Sequence, residues 1–184
     1  MRKSRSERFL LPIGLLFIVP FVLTGCFNFT LSERTVPVET AQNALDVALS
    51  LLDKPYHWGG NGPDAFDCSG LIMWSYQQVT AKTLYYQTSE GLAKDIRIDD
   101  LYSYNTTSVN AADVRPGDIV FVTSRDGSVT HGGLFIEWIN PYSFLYVNAS
   151  SEQEGVVTDV WTLGLLIHGN WFVGFGRLIE RTVL

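Results

Sequence analysis

The hydrophobic periodicity of this chain changes character once, at Val114-Arg115-Pro116-Gly117-Asp118. Before that point the apolar spacing is helical. Ala41, Ala44, Leu45, Ala48, Leu49 and Leu52 predict a helix over 40–52, with Thr40 as N-cap and Pro55 as the stop. A second helix is predicted over 68–79, with Leu71, Ile72, Trp74, Ser75 and Val79 turned partly to the core. Residues 88–94 suggest a short third helix and 99–113 a loop. After that point come short apolar runs at 119–122, 132–139, 144–148 and 171–179. Arg125-Asp126-Gly127-Ser128 and Asn140-Pro141-Tyr142-Ser143 separate three of them, and Asp-Gly supplies the positive φ that a hairpin turn needs. Helices followed by an antiparallel meander define an α+β class.

The N-terminus reads as an export segment. Arg2, Lys3, Arg5 and Arg8 precede an apolar run from Phe9 to Val22, which Pro12 and Pro20 interrupt. That run is the length of a signal h-region and shorter than the roughly 20 residues of a membrane span; a short transmembrane anchor is the alternative. Leu23-Thr24-Gly25-Cys26 resembles the bacterial lipobox. The resemblance implies that Cys26 is acylated and begins the mature protein, tethered to a membrane and facing outward. Phe27 in place of the usual inner-membrane retention aspartate favours the outer membrane, where the host has one. The expected division is a signal peptide over 1–25, a lipidated N-terminus and tether over 26–38, and one folded domain over 39–184.

Formal net charge is −6 over 184 residues. Residues 1–25 carry a net +3, so the remainder carries −9. An acidic domain without basic clusters is a poor nucleic-acid binder, because phosphate contacts need Lys and Arg. The chain has two cysteines and three histidines, with no close Cys or His pair of metal-ligand spacing. Gly59-Gly60-Asn61-Gly62 lacks the Lys and helix context of a phosphate loop. No metal or other cofactor is expected, and the domain reads as a monomer.

With Cys26 lipidated, Cys68 is the sole remaining thiol, and a lone thiol in an exported protein calls for a function. Cys68 opens the second predicted helix, where unsatisfied N–H groups and the helix dipole favour a thiolate and can steady an oxyanion. Asp67 works against the thiolate by its charge while serving as a good N-cap. Among the histidines, His57 lies in a loop and His168 in a late turn. His131 opens a strand with glycines after it, which leaves room for a substrate and makes it the candidate base. Asn148 ends the next strand, where antiparallel pairing sets it beside His131 to orient the imidazole. Cys68, His131 and Asn148 are thus the parts of a Cys-His-Asn hydrolase.

Pro55-Tyr56-His57-Trp58-Gly59-Gly60 and Phe66-Asp67-Cys68-Ser69-Gly70-Leu71 resemble the core motif of the NlpC-type, papain-like cell-wall cysteine peptidases. Residues 114–121, His131-Gly132-Gly133-Leu134-Phe135 and Val173-Gly174-Phe175-Gly176-Arg177 resemble their later signatures, and the likeness covers about residues 40–180. It implies a papain-like α+β core with the nucleophile on a helix packed against an antiparallel sheet. It also implies a peptidoglycan endopeptidase that cuts stem peptides, commonly between D-glutamate and a diamino acid. Cys68 is then nucleophile, His131 base and Asn148 orienter, with asparagine where many members have histidine.

Tyr56, Asp67 and Ser69 match positions that line the pocket for the substrate's free amino terminus, and Tyr56 matches a donor to the oxyanion. The family's Leu-Pro-Arg stretch is replaced by Leu84-Tyr85-Tyr86-Gln87, so that Gln87 or Tyr86 would stand where the arginine does. Two other readings remain open here: a thiol amidase or acyltransferase acting on another molecule, and a non-catalytic wall-binding lipoprotein.

Overall fold

A computed structural model describes residues 30–183; Cys26 and the export segment lie outside the described residues. Helix α1 (Val38–Ser50) buries Ala41, Ala44, Leu45 and Ala48, the one-face spacing read from the sequence. Its N-cap is Pro37, three residues before the predicted cap Thr40, and it offers no side-chain cap. Helix α2 spans Cys68–Val79, as predicted, and buries Leu71, Ile72, Met73 and Tyr76.

Seven strands form one antiparallel sheet: β1 (Leu31–Thr35), β4 (Thr106–Val109), β5 (Ile119–Thr123), β6 (Val129–Asn140), β7 (Ser143–Ser150), β8 (Gly155–Thr162) and β9 (Trp171–Val183). The path runs β1-β9-β5-β6-β7-β8, and β4 also pairs with β9. Beside it, β2 (Tyr86–Thr88) and β3 (Gly91–Ala93) form a small hairpin, and α3 spans Ile98–Tyr104.

Four expectations need correction. Residues 31–35, expected within a tether, pair with Thr182 and its neighbours in β9, so the folded unit begins before residue 39. Residues 88–94 are a hairpin rather than a helix: Thr88 Oγ1 accepts from the Glu90 N–H at 3.1 Å and closes the turn. Residues 99–113 hold most of α3 and all of β4. Buried Asn105 makes that order possible, because its amide accepts from the Gln87 N–H (2.7 Å) and Arg181 Nη1 (2.6 Å) and donates to the Gln87 (2.9 Å) and Asp100 (2.8 Å) carbonyls. Finally, β8 was unforeseen; it caps the meander by pairing with all of β7.

The sheet is covered on both faces. Leu134, Val147, Ala149 and Val156 pack toward the helices, and Val120, Phe135, Phe144, Tyr146, Trp161 and Phe175 form an aromatic cluster on the other side. The turn at Gly117 locks helices to sheet. Tyr76 Oη donates to the Gly117 carbonyl at 2.7 Å. Asp118, fully buried, accepts from Arg177 Nε at 2.8 Å and Nη2 at 2.7 Å. Two sequence signatures, 59 residues apart, therefore meet in one bidentate ion pair. Removing one partner of such a pair leaves an uncompensated buried charge. Arg177→Ala is expected to cost about 3–5 kcal/mol of stability, read by denaturant unfolding; a loss under about 1 kcal/mol, the size of a surface pair, would refute this role.

Candidate active site

The site begins at the N-terminus of α2. Asp67 is its N-cap: Oδ1 accepts from the Gly70 N–H at 2.7 Å and from Ser69 Oγ at 2.9 Å. Oδ2 accepts from the Gly59 N–H at 2.9 Å, so one carboxylate ties the glycine-rich loop to the helix. The helix lies directly on that loop. A Cβ at Gly70 would stand 2.0 Å from the Gly60 carbonyl oxygen, a clash between backbones that only glycine avoids.

His131 and Asn148 come from neighbouring strands. Phe135 stands opposite Tyr146 in the β6–β7 register, and the side-chain alternation carries His131 and Asn148 to the same face. His131 Nε2 lies 2.9 Å from Asn148 Oδ1. Asn148 is 1% exposed, and its Nδ2 points to Asp159 Oδ2 at 3.5 Å, which sets the amide with its oxygen toward the imidazole. An amide oxygen only accepts, so Nε2 carries the proton and Nδ1 is left as the free base. The glycines after His131 do not clear space for a substrate as the sequence suggested. A Cβ at Gly132 would meet the Val120 carbonyl at 2.6 Å, and one at Gly133 the Val147 carbonyl at 2.3 Å. They let the strands and the Asn148 side chain pack closely.

Cys68, His131 and Asn148 share the wall of one cavity of about 430 Å³ with Tyr56, Asp67 and Ser69. Gln87 does not line it; its Nε2 donates to the Thr88 carbonyl at 2.6 Å, on the small hairpin. Asp67 and Ser69 line the cavity but are already bonded to each other. His57 is exposed in its loop, and His168 Nδ1 pairs with Glu152 at 2.5 Å. Sequence reasoning missed Trp58 (83% exposed), Arg97, Asp159 and Trp161, all of which line the cavity. Asp159 and Trp161 were legible in principle, since Gly155–Thr162 is a β-branched run bounded by glycines. Among the described residues, no group of three or more His, Cys, Asp or Glu could hold a metal ion.

The electrostatics oppose a resting ion pair. Burial pushes the Cys68 thiol up to about 12, and the Asp67 charge adds to this; N–H groups of Ser69, Gly132 and Cys68 itself act the other way but do not win. The helix terminus was expected to lower this thiol, and desolvation outweighs it. Burial also lowers the pKa of His131, against the bond from Asn148 and the charge of Asp159. Thiol and imidazole are therefore both neutral at neutral pH. Tyr56 is raised by burial first and then by Cys68 and Asp67, so its hydroxyl stays a proton donor.

A family model, the NlpC/P60 family, matches residues 53–164. The chain belongs to the NlpC/P60 family. Among curated relatives, a protein of Corynebacterium glutamicum named "Probable endopeptidase" is 35% identical over 119 residues, 63% of this chain and 48% of its own. The "Probable endopeptidase p60" of Listeria grayi is 31% identical over 131 residues, 69% of this chain and 20% of its own. The chain spans less than half the length of these relatives. A solved Staphylococcus aureus structure described as similar to lipoprotein, NLP/P60 family, is 25% identical, with a TM-score of 0.55 over 80% of this chain and 44% of that one. NlpC1 from Trichomonas vaginalis, 20% identical over 80% of this chain and 47% of that one, shares the fold with a TM-score of 0.54.

A neutral, partly buried thiol has a pH signature. Alkylation of Cys68 by iodoacetamide is expected to keep rising from neutral pH to about pH 10, by about tenfold per unit. A rate already level at neutral pH would show a preformed thiolate instead.

Proposed function

We propose that this NlpC/P60 domain is a cysteine endopeptidase of cell-wall stem peptides, cleaving the bond between D-glutamate and a diamino acid. The observation that carries the reading is the His131–Asn148 bond of 2.9 Å in the same cavity wall as a thiol at a helix N-terminus. The curated relatives named as endopeptidases support the reaction class.

In this reading the Cys68 proton passes to His131 Nδ1 as sulfur attacks the scissile carbonyl carbon, which makes the resting neutral pair a general-base system. The Cys68 N–H and the Tyr56 hydroxyl donate to the oxyanion. As the C–N bond breaks, the departing amine takes the proton from His131. Water, deprotonated by His131, then attacks the thioester carbonyl; the C–S bond breaks and the proton passes from His131 back to the Cys68 sulfur. Asn148 holds the ring in the tautomer that this sequence requires. The active form needs neutral His131. Since its pKa is lowered, activity persists through neutral pH and falls only as the pH drops through a value below the ordinary imidazole range of about 6.5.

Digestion of purified sacculi by the full chain in detergent tests this. New stem-peptide termini are expected by mass spectrometry with the wild type, none with Cys68→Ala, and a loss of about 10²-fold or more in rate with Asn148→Ala. No fragments from the wild type, with Cys68 still alkylated as above, would turn the reading to an amidase or acyltransferase on another molecule.

The lipobox-like segment before Cys26 supports an outward-facing, lipid-anchored form that is held near the wall by its lipid. Cys26→Ala is expected to abolish labelling by a palmitate analogue and to move the protein out of the membrane fraction. Equal labelling of the variant would refute the anchor.

A further inference from the structure

Helix α2 has the candidate active site at one end and an unassigned groove at the other. Cys68 opens the helix in the cavity wall. About 17 Å further along the helix axis, a groove of about 330 Å³ lies between strand β1 and the residues that follow α2. Strand β9 has the same polarity. Asn170, just before it, lines the cavity, and roughly 40 Å of strand later Val183 stands opposite Leu31.

The groove is polar and cationic. Arg34 and Lys82 line it against one carboxylate, Glu180. Arg34 reaches Glu180 Oε2 at 3.0 Å through both Nε and Nη2; its side chain is 62% exposed, and among the described residues its Nη1 has no partner. Lys82 is exposed and, among the described residues, pairs with no carboxylate. The lining also holds the Ser32 and Thr40 hydroxyls. Two of the last carbonyls of α2 are already engaged: Tyr76 accepts from Thr80 Oγ1 at 2.8 Å and Gln77 from the Thr80 N–H at 3.4 Å. The cavity has the opposite balance, with Asp67, Glu152 and Asp159 against Arg97.

The groove lies where the chain enters the domain. Ser32 and Arg34 belong to β1, and only residues 27–30 separate Cys26 from Leu31, at most about 18 Å of chain. A lipid on Cys26 keeps the groove within reach of the headgroups. We propose that this end of the domain is its membrane-facing surface: the groove seats the headgroup phosphate of an anionic lipid between Lys82 and Arg34, and the cavity is held at the end turned away from the bilayer. An anionic leaflet attracts the cationic end and repels the acidic one, so one field orients both. The inference rests on the lipid-anchor reading of Cys26 and is independent of the reaction.

In the full-length lipidated chain, Cys68→Ala leaves an introduced thiol as the sole acceptor for a fluorescent maleimide. Thr83→Cys puts the dye next to Lys82, and Ser151→Cys puts it on the cavity wall; both positions are exposed. Each protein is reconstituted in phosphatidylcholine vesicles that carry headgroup nitroxides, with and without phosphatidylglycerol. With phosphatidylglycerol the dye at 83 is expected to be quenched and the dye at 151 to keep its emission. Lys82→Gln is expected to lower the docked-to-undocked ratio read at 83 about fivefold, the worth of one cation at an anionic surface, and omission of phosphatidylglycerol to lower it at least as far. Equal quenching at both positions, stronger quenching at 151, or quenching at 83 that ignores either Lys82→Gln or phosphatidylglycerol would overturn the surface and leave the anchor standing. Dye uptake by the Cys68→Ala chain without an added thiol would overturn the anchor, and the surface with it.

Discussion

Everything at the site hangs from the Asp67 carboxylate. Its two oxygens hold the first turn of α2, the Ser69 hydroxyl and the Gly59 N–H, so the loop, the helix start and the cavity wall are one unit. The absence of a side chain at Gly70 lets the helix lie against the Gly60 carbonyl and places Cys68 at the lip of the cavity. The same charge raises the thiol's pKa, so the group that positions Cys68 also disfavours its ionised form. A cap contributes about 1 kcal/mol in an ordinary helix. Here it also decides where the Cys68 sulfur stands.

The second half of the site depends on the sheet. Asp118 and Arg177 bind β5 to β9, and the Gly117 turn beside them receives Tyr76 from α2, so the helix that carries Cys68 is fixed to the sheet that carries His131. From there the β6–β7 and β7–β8 registers set His131, Asn148 and Asp159 in sequence across one face. A one-residue slip in either ladder would turn a member of this series to the opposite face, against the helices. The geometry of the candidate site therefore rests on backbone pairing that also buries both faces of the sheet.

Burial governs the chemistry as much as placement does. It raises the thiol and lowers the imidazole, and both shifts oppose charge separation. In the proposed reaction a resting neutral pair leaves proton transfer to the moment when a carbonyl can accept the sulfur.

The sequence by itself determined the class, α2 to the residue and the pairing of His131 with Asn148, because local periodicity, an Asp cap and a two-strand hairpin are short-range properties. It misjudged 88–94 and 99–113, whose form depends on the Asn105 amide reaching Gln87 and Arg181, contacts 18 and 76 residues apart that no local pattern encodes. It also left 31–35 as a tether, since a strand of exposed polar residues declares itself only when β9 offers an edge. The chain order could not show that Gln87 stays on its hairpin away from the cavity, or that Asp159 and Trp161 enter it. The direction of the Cys68 shift likewise belonged to the tertiary structure. A helix dipole can be read from a predicted helix start, but the desolvation that outweighs it exists only once the sheet has packed beside the helix start and formed the cavity wall.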